Sequence, residues 1–137
     1  MPETAGYSQT PLPRKLGIKP EHRVLVLGAP DGFQLGAPFI TRATGKAQFD
    51  VVLLFCPDLA TLHRRFSAAA GRHGPDGMIW ACWPKKSSGV ATDLTENAVR
   101  AHGLSHGRVD VKVCAIHATW SGLKFVIRLA DRPSASG

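Results

Sequence analysis

The sequence predicts a single-domain α/β sandwich with a mostly parallel sheet that ends in a C-terminal antiparallel hairpin. Three observations predict it. Short apolar runs rich in β-branched residues, at Val24–Leu27 and at residues 49–56 and 78–83, read as strands covered on both faces. Between the second and third runs, Leu59, Leu62, Phe66, Ala69 and Ala70 recur at helical spacing. The chain has 137 residues, enough for one domain with its own core and too few for separate cofactor and substrate domains.

In chain order, residues 1–9 read as a flexible leader, 10–130 as the single α/β domain and 131–137 as a small-residue tail. Thr10 followed by Pro11 reads as a cap and a first helical proline, and Gly17 as the glycine beyond the helix end. The first strand runs into the loop Gly28-Ala29-Pro30-Asp31-Gly32-Phe33, and residues 39–41 are a candidate short strand. Asp58 is placed to cap the helix after the second strand, with Arg64, Arg65 and Arg72 toward its solvated side. Gly74-Pro75-Asp76-Gly77 reads as a turn before the third strand. Asp93 and Glu96 have the spacing of a capping box, opening a helix that stops at Gly103. Residues 109–117 and 123–129, joined by a short connection, make the antiparallel hairpin. This order of elements is Rossmann-like. It resembles a cut-down S-adenosylmethionine-dependent methyltransferase, through the lead-in Leu16-Gly17-Ile18-Lys19-Pro20 and the antiparallel last strand.

The composition narrows the function classes. Hydrophobic residues are 44% and charged residues 20%, the balance of a globular chain, which excludes wholesale disorder. No apolar run approaches the roughly 20 residues of a membrane helix, and the first residues lack signal-peptide character. Cys56, Cys82 and Cys114 are odd in number and lie in strand-like runs, so they read as buried thiols in a reducing cytoplasm. The net charge of +7 favours an anionic partner. The basic residues are dispersed, and aromatics do not alternate with them, so nucleic acid is the weaker candidate. Self-association through the edge strand at residues 123–129 is the homodimer this pattern allows.

In open parallel sheets, ligands bind beyond the carboxyl ends of the strands. The expected site is therefore built from loops at that edge. Gly28, Asp31, Gly32 and Phe33 form its floor; Trp83 and Trp120 form a wall. Lys85, Lys86, Ser87 and Ser88 supply charge and hydrogen bonds, and the hairpin brings Lys124 toward the same edge. Two lysines, two hydroxyls and a flexible turn suit a phosphate or carboxylate. Gly-Ala-Pro-Asp-Gly is not G-x-G-x-x-G, and Pro30 removes an amide that a phosphate cradle would use. From Phe33 to Gln48 there is no Asp or Glu to hold a ribose, which weighs against NAD and against a methyltransferase of standard design. His22, His63, His73, His102, His106 and His117 are scattered and no C-x-x-C exists, so no metal site is expected. No pair of groups is placed for acid–base work, and the cofactor is left unassigned.

Several blocks carry a further resemblance: Tyr7-Ser8, Thr10-Pro11-Leu12, Lys15-Leu16-Gly17-Ile18, Gly28-Ala29-Pro30-Asp31-Gly32-Phe33, Phe49-Asp50-Val51-Val52, Trp83-Pro84-Lys85-Lys86, Asp93-Leu94-Thr95-Glu96, Lys112-Val113-Cys114-Ala115 and Thr119-Trp120-Ser121-Gly122-Leu123-Lys124-Phe125-Val126. Together they resemble a family of small bacterial cytosolic proteins of unknown function, over residues 7–132. The stretch between Phe33 and Phe49 is shortened relative to that family. The resemblance implies a bacterial, cytoplasmic setting and brings no activity with it. The reading is a protein that binds a small anionic or nucleotide-like ligand. The alternatives are a degenerate methyltransferase-like enzyme and a protein-interaction scaffold.

Overall fold

A computed structural model describes residues 11–116 and 119–128. The expected leader and tail, and Thr10 and His117, lie outside the described residues. The elements are α1 (Leu12–Leu16), β1 (Val24–Leu27), β2 (Phe49–Phe55), α2 (Leu59–Ala70), β3 (His73–Pro84), α3 (Glu96–Ser105), β4 (Arg108–Ala115) and β5 (Trp120–Ile127).

The continuous apolar runs are explained by burial on both faces. Every residue from Val51 to Phe55 is fully buried. On one face, Leu25, Val52, Leu54, Ile79 and Trp83 pack against Leu62 and Phe66 of α2 and Val99 of α3. On the other, Val26, Leu53, Phe55 and Trp80 pack against Leu16 of α1 and against Leu35 from the loop after β1. Burying one such aliphatic side chain stabilises the fold by about 1.5–3 kcal/mol, so each face holds its own helix layer without staples. α1 is short but pinned. Gly17 ends it in the left-handed region at φ 81°, and the Trp80 indole N–H donates to the Leu16 carbonyl at 3.0 Å.

The sheet order is β1-β2-β3-β5-β4. β1, β2 and β3 are parallel neighbours, whereas β5 is antiparallel to both β3 and β4. The sheet is therefore mixed, with as many antiparallel pairings as parallel ones; it is parallel only in its first half. The reason is the hairpin, which inserts its second strand between β3 and its first. This corrects the expected edge as well. β5 is interior and cannot mediate pairing between copies, while β4 is the exposed edge. That edge is blunted by an irregularity between Asp110 and Lys112 and by the lysine itself.

Local expectations differ in three places. Residues 74–77 are not a separate turn but belong to β3, whose register against β2 jumps from Phe49↔His73 to Val51↔Met78. Gly77 permits this bulge, because a Cβ there would lie 2.9 Å from the His73 Cβ. α3 is capped by Thr95, whose hydroxyl accepts from the Ala98 N–H at 3.1 Å. It runs through Gly103 to Ser105, because a Cβ at Gly103 would overlap the Phe125 ring and its absence lets the helix press onto β5. Asp93 caps a different helix. Its carboxylate accepts from Leu59 N at 2.8 Å, beside Asp58, which accepts from Thr61 N at 2.8 Å as expected. Residues 39–41 contribute a single parallel bridge, Ile40 to Leu25.

Candidate functional site

The carboxyl ends of β1, β2 and β3 share one edge, and the start of β5 joins them there through the register Pro84↔Trp120. The loop after β3 begins with Lys85 N donating to the Thr119 carbonyl at 2.8 Å. It then tightens into a 3-10 turn at Lys86–Ser88 and leaves through Gly89 at φ 79°. The Ser88 hydroxyl donates to the Lys85 carbonyl at 2.7 Å and accepts from Val90 N at 3.2 Å. It therefore holds the turn and is not presented to a ligand. The Thr92 hydroxyl donates to the Pro57 carbonyl at 2.7 Å, which, with Asp93 on Leu59, staples the loop across the end of β2.

This stapled loop roofs a cleft of about 720 Å³, within the usual 300–1,000 Å³ range of small-molecule sites. Trp83 lies at its base, only 5% exposed. Lys85 and Lys86 reach it from the loop, Thr95 and Asn97 from the start of α3, and Ser121 from β5. Glu96 is the carboxylate among the lining residues, and Arg100 holds it at 2.6 Å while also gripping Asp110 at 2.8 Å. Those two carboxylates push the Arg100 pKa further up, Asp110 more than Glu96. Two lysines, hydroxyl- and amide-bearing residues, and the positive end of α3 thus line a cleft whose acidic lining residue is already paired.

The expected site residues separate into groups. Trp83, Lys85 and Lys86 line the cleft, and Ser87 and Ser88 sit in its rim turn. Gly28, Asp31, Gly32 and Phe33 do not line it. Gly28 and Gly32 adopt φ of 73° and 78°, where only glycine is unstrained, and Asp31 is exposed between them. Phe33 turns into the core, with its ring 4.9 Å from Phe55 and 6.1 Å from Phe39. Trp120 stacks edge-on against Phe55 at 5.1 Å. Trp83 and Trp120 form no common wall: Trp83 pairs with Ser121, one residue along, so strand alternation puts the two indoles on opposite faces. Lys124 pairs with Trp80 in mid-strand, beneath Gly17, away from the edge. Burial there lowers its pKa, and the Lys112 charge lowers it further.

Sequence reasoning missed Thr92, Thr95, Asn97 and Ser121 at the cleft, and Arg65 beside Gly28. Ser121 was within reach of the hairpin register. The others carry no local signal, because they are ordinary polar residues brought together by the loop's path.

Burial makes Cys56 a poor nucleophile. Its thiol is pushed up to about 12, with Arg65 pulling it down less and Asp58 adding a little. Complete burial also raises the Cys82 thiol well above its usual value. Among the described residues, no group of His, Cys, Asp or Glu is arranged to hold a metal ion. His102 lies in the last turn of α3 and His106 caps its end, their rings 4.5 Å apart, but His63 and His102 stack at 4.2 Å with planes 8° apart, so their lone pairs lie in parallel planes. No helix among the described residues is long and apolar enough to cross a membrane.

No family model and no curated protein matches the chain, so the likeness to a family of small bacterial proteins rests on the sequence blocks alone. Solved structures do match. A ribosomal protein L11 methylase from Lactobacillus delbrueckii subsp. bulgaricus superposes with a TM-score of 0.58 at 11% identity, covering 84% of this chain and 74% of its own. A TehB-like SAM-dependent methyltransferase from Corynebacterium glutamicum gives 0.59 at 9% identity, over 92% of each chain. A putative methyltransferase from Thermoplasma acidophilum gives 0.55 at 9%, over 89% of this chain and 76% of its own. At these identities the likeness establishes the fold alone: a Rossmann-like α/β domain, similar to those of these methyltransferases.

Proposed function

We propose that this protein binds a small anionic, nucleotide-like ligand in the cleft beyond β3. The observation that carries the reading is the pairing of charges. Lys85 and Lys86 line a cleft of ligand size in which Glu96, the acidic lining residue, is already ion-paired with Arg100, which it shares with Asp110. A phosphate or carboxylate entering between the lysines gains charge-assisted hydrogen bonds without displacing an internal partner. Thr95, Asn97 and Ser121 supply the directional polar contacts that would orient the rest of the ligand, and Trp83 gives it an apolar base.

A fluorescence and thermal-shift titration tests this, with pyrophosphate, adenine nucleotides, coenzyme A, NAD, S-adenosylmethionine and its demethylated product as probes. A saturable response that Lys85→Ala/Lys86→Ala weakens by about tenfold or more, roughly 1.4 kcal/mol, is expected. A response unchanged in that variant, or none across the panel, overturns the reading.

The second reading is a methyltransferase-like enzyme with a degenerate cofactor loop. The shared fold favours it, since one of the similar structures is named as SAM-dependent. The residues of this chain do not fit that cofactor at the glycine loop. The space beside Gly28 is filled by Arg65, Pro30 offers no N–H, and the segment from Phe33 to Gln48 offers no carboxylate. The two adenosyl probes in the panel decide between the readings.

A further inference from the structure

The path of the chain marks a second crevice on the same edge, separate from the lysine cleft. After β1 the chain crosses the α1 face and reaches Ile40, which pairs with the outer side of β1. Val26 N donates to the Ile40 carbonyl at 2.8 Å, and Ile40 N to the Val24 carbonyl at 3.0 Å. The chain then returns to β2 on the inner side of β1, and the helix after β2 leaves on the opposite face. The bridge at Ile40 and the pairing with β2 thus lie on opposite sides of β1, and where consecutive connections leave a strand toward opposite sides, a ligand crevice opens beyond the carboxyl ends.

In this chain the crevice is occupied by the chain itself. The Arg65 side chain reaches back from α2, and its guanidinium donates to the Phe55 carbonyl at the end of β2. The same guanidinium lies where a side chain on residue 28 would begin, so Gly28 serves as its seat. The chemistry is the reverse of a phosphate cradle. A cradle offers N–H groups to an anion; here a carbonyl oxygen receives a cation, and Pro30 lacks the N–H. A sulfonium ligand would also meet a like charge.

We infer that the β1/β2 crevice is a guanidinium seat filled from within by Arg65, and that it is closed to an S-adenosyl ligand. The lysine cleft is a different place, so the two proposals fail separately.

The test uses the full chain with thermal unfolding and calorimetric titration. Arg65→Ala is expected to lower the Tm by several degrees, and ethylguanidinium at about 20 mM to recover part of that loss while leaving the wild type unmoved. The wild type is expected to show no binding of S-adenosylhomocysteine at the crevice. Ethylguanidinium acting equally on both proteins overturns the inference. So does S-adenosylhomocysteine binding that Arg65→Ala alters and Lys85→Ala/Lys86→Ala does not. Binding lost only in the lysine variant places the ligand beyond β3 and leaves the Arg65 seat standing. Should Arg65→Ala not fold, Arg65→Lys keeps the charge without the planar fork. It is then expected to unfold a few degrees lower, and a Tm equal to wild type overturns the inference.

Discussion

The two ends of the carboxyl edge are built from similar loops and have opposite contents. At the β1/β2 end, a glycine loop with positive-φ residues surrounds space already filled by Arg65. At the β3/β5 end, a basic loop is stapled over a cleft that no side chain of the described residues fills. The glycines made the first look like the floor of the pocket that the lysines line. The comparison teaches that a glycine marks close approach of something, and that the something is sometimes the protein's own side chain.

The largest expected effect tests the filled end. Gly28→Ala combines backbone strain at φ 73° with overlap on Arg65, and should cost about 3 kcal/mol in urea unfolding. Gly32→Ala has the same backbone strain at φ 78° but nothing within 4 Å, and should cost only about 1 kcal/mol. Equal losses would mean that Arg65 is not seated against Gly28. At the open end, Lys85→Ala/Lys86→Ala should leave the Tm within about 2 °C, because Lys86 is exposed and Lys85 half-buried and surface charges contribute little to stability, while ligand affinity drops. Loss of folding in that variant would erase the distinction between the two ends.

A pH titration sharpens the comparison further. His102, on the helix whose start lines the open cleft, is held down to about 4 from the usual 6.5 by burial first, then by the His63 and His106 charges. Burial also lowers His73, aided by Arg108. A histidine depressed on folding binds its proton more readily in the unfolded chain. Stability is therefore full above about pH 6.5 and falls as the pH drops toward 4. His102→Phe keeps a ring in the stack and should flatten that fall in chemical denaturation across the range; an unchanged slope would rule out His102 as its source. The smallest effect belongs to Arg100→Gln. Freed from its partner, Glu96 would oppose an incoming anion, weakening affinity by about twofold to threefold, a change readable in the same titration.

Most of the fold was legible because burial on both faces writes itself as unbroken apolar sequence, as at Val51–Phe55. The hairpin was legible too, but not which of its strands docks on β3, since either order satisfies a short connection. That ambiguity misplaced the edge strand. Trp83 and Trp120 looked like partners because both sit near one edge; only the register Pro84↔Trp120 reveals that they point to opposite faces. Gly103 resembled a helix end, because a sequence does not show the Phe125 ring that needs its missing Cβ. Of the site, the lysines and Trp83 were legible as chemistry beyond a strand end. Arg65 was not. On a helix it reads as a solvated residue, and its role depends on a carbonyl at the end of the preceding strand.

The carboxylate of Asp93 has one more consequence. The opening amides of a helix have no acceptor within the helix, so the Leu59 N–H depends for its shelter on an oxygen from another element, the loop that roofs the cleft. Each time that loop lifts, this amide meets solvent, while amides deeper in α2 stay in their own ladder. One proton at position 59, followed by its rate of exchange with deuterium, therefore keeps time for the opening of the roof.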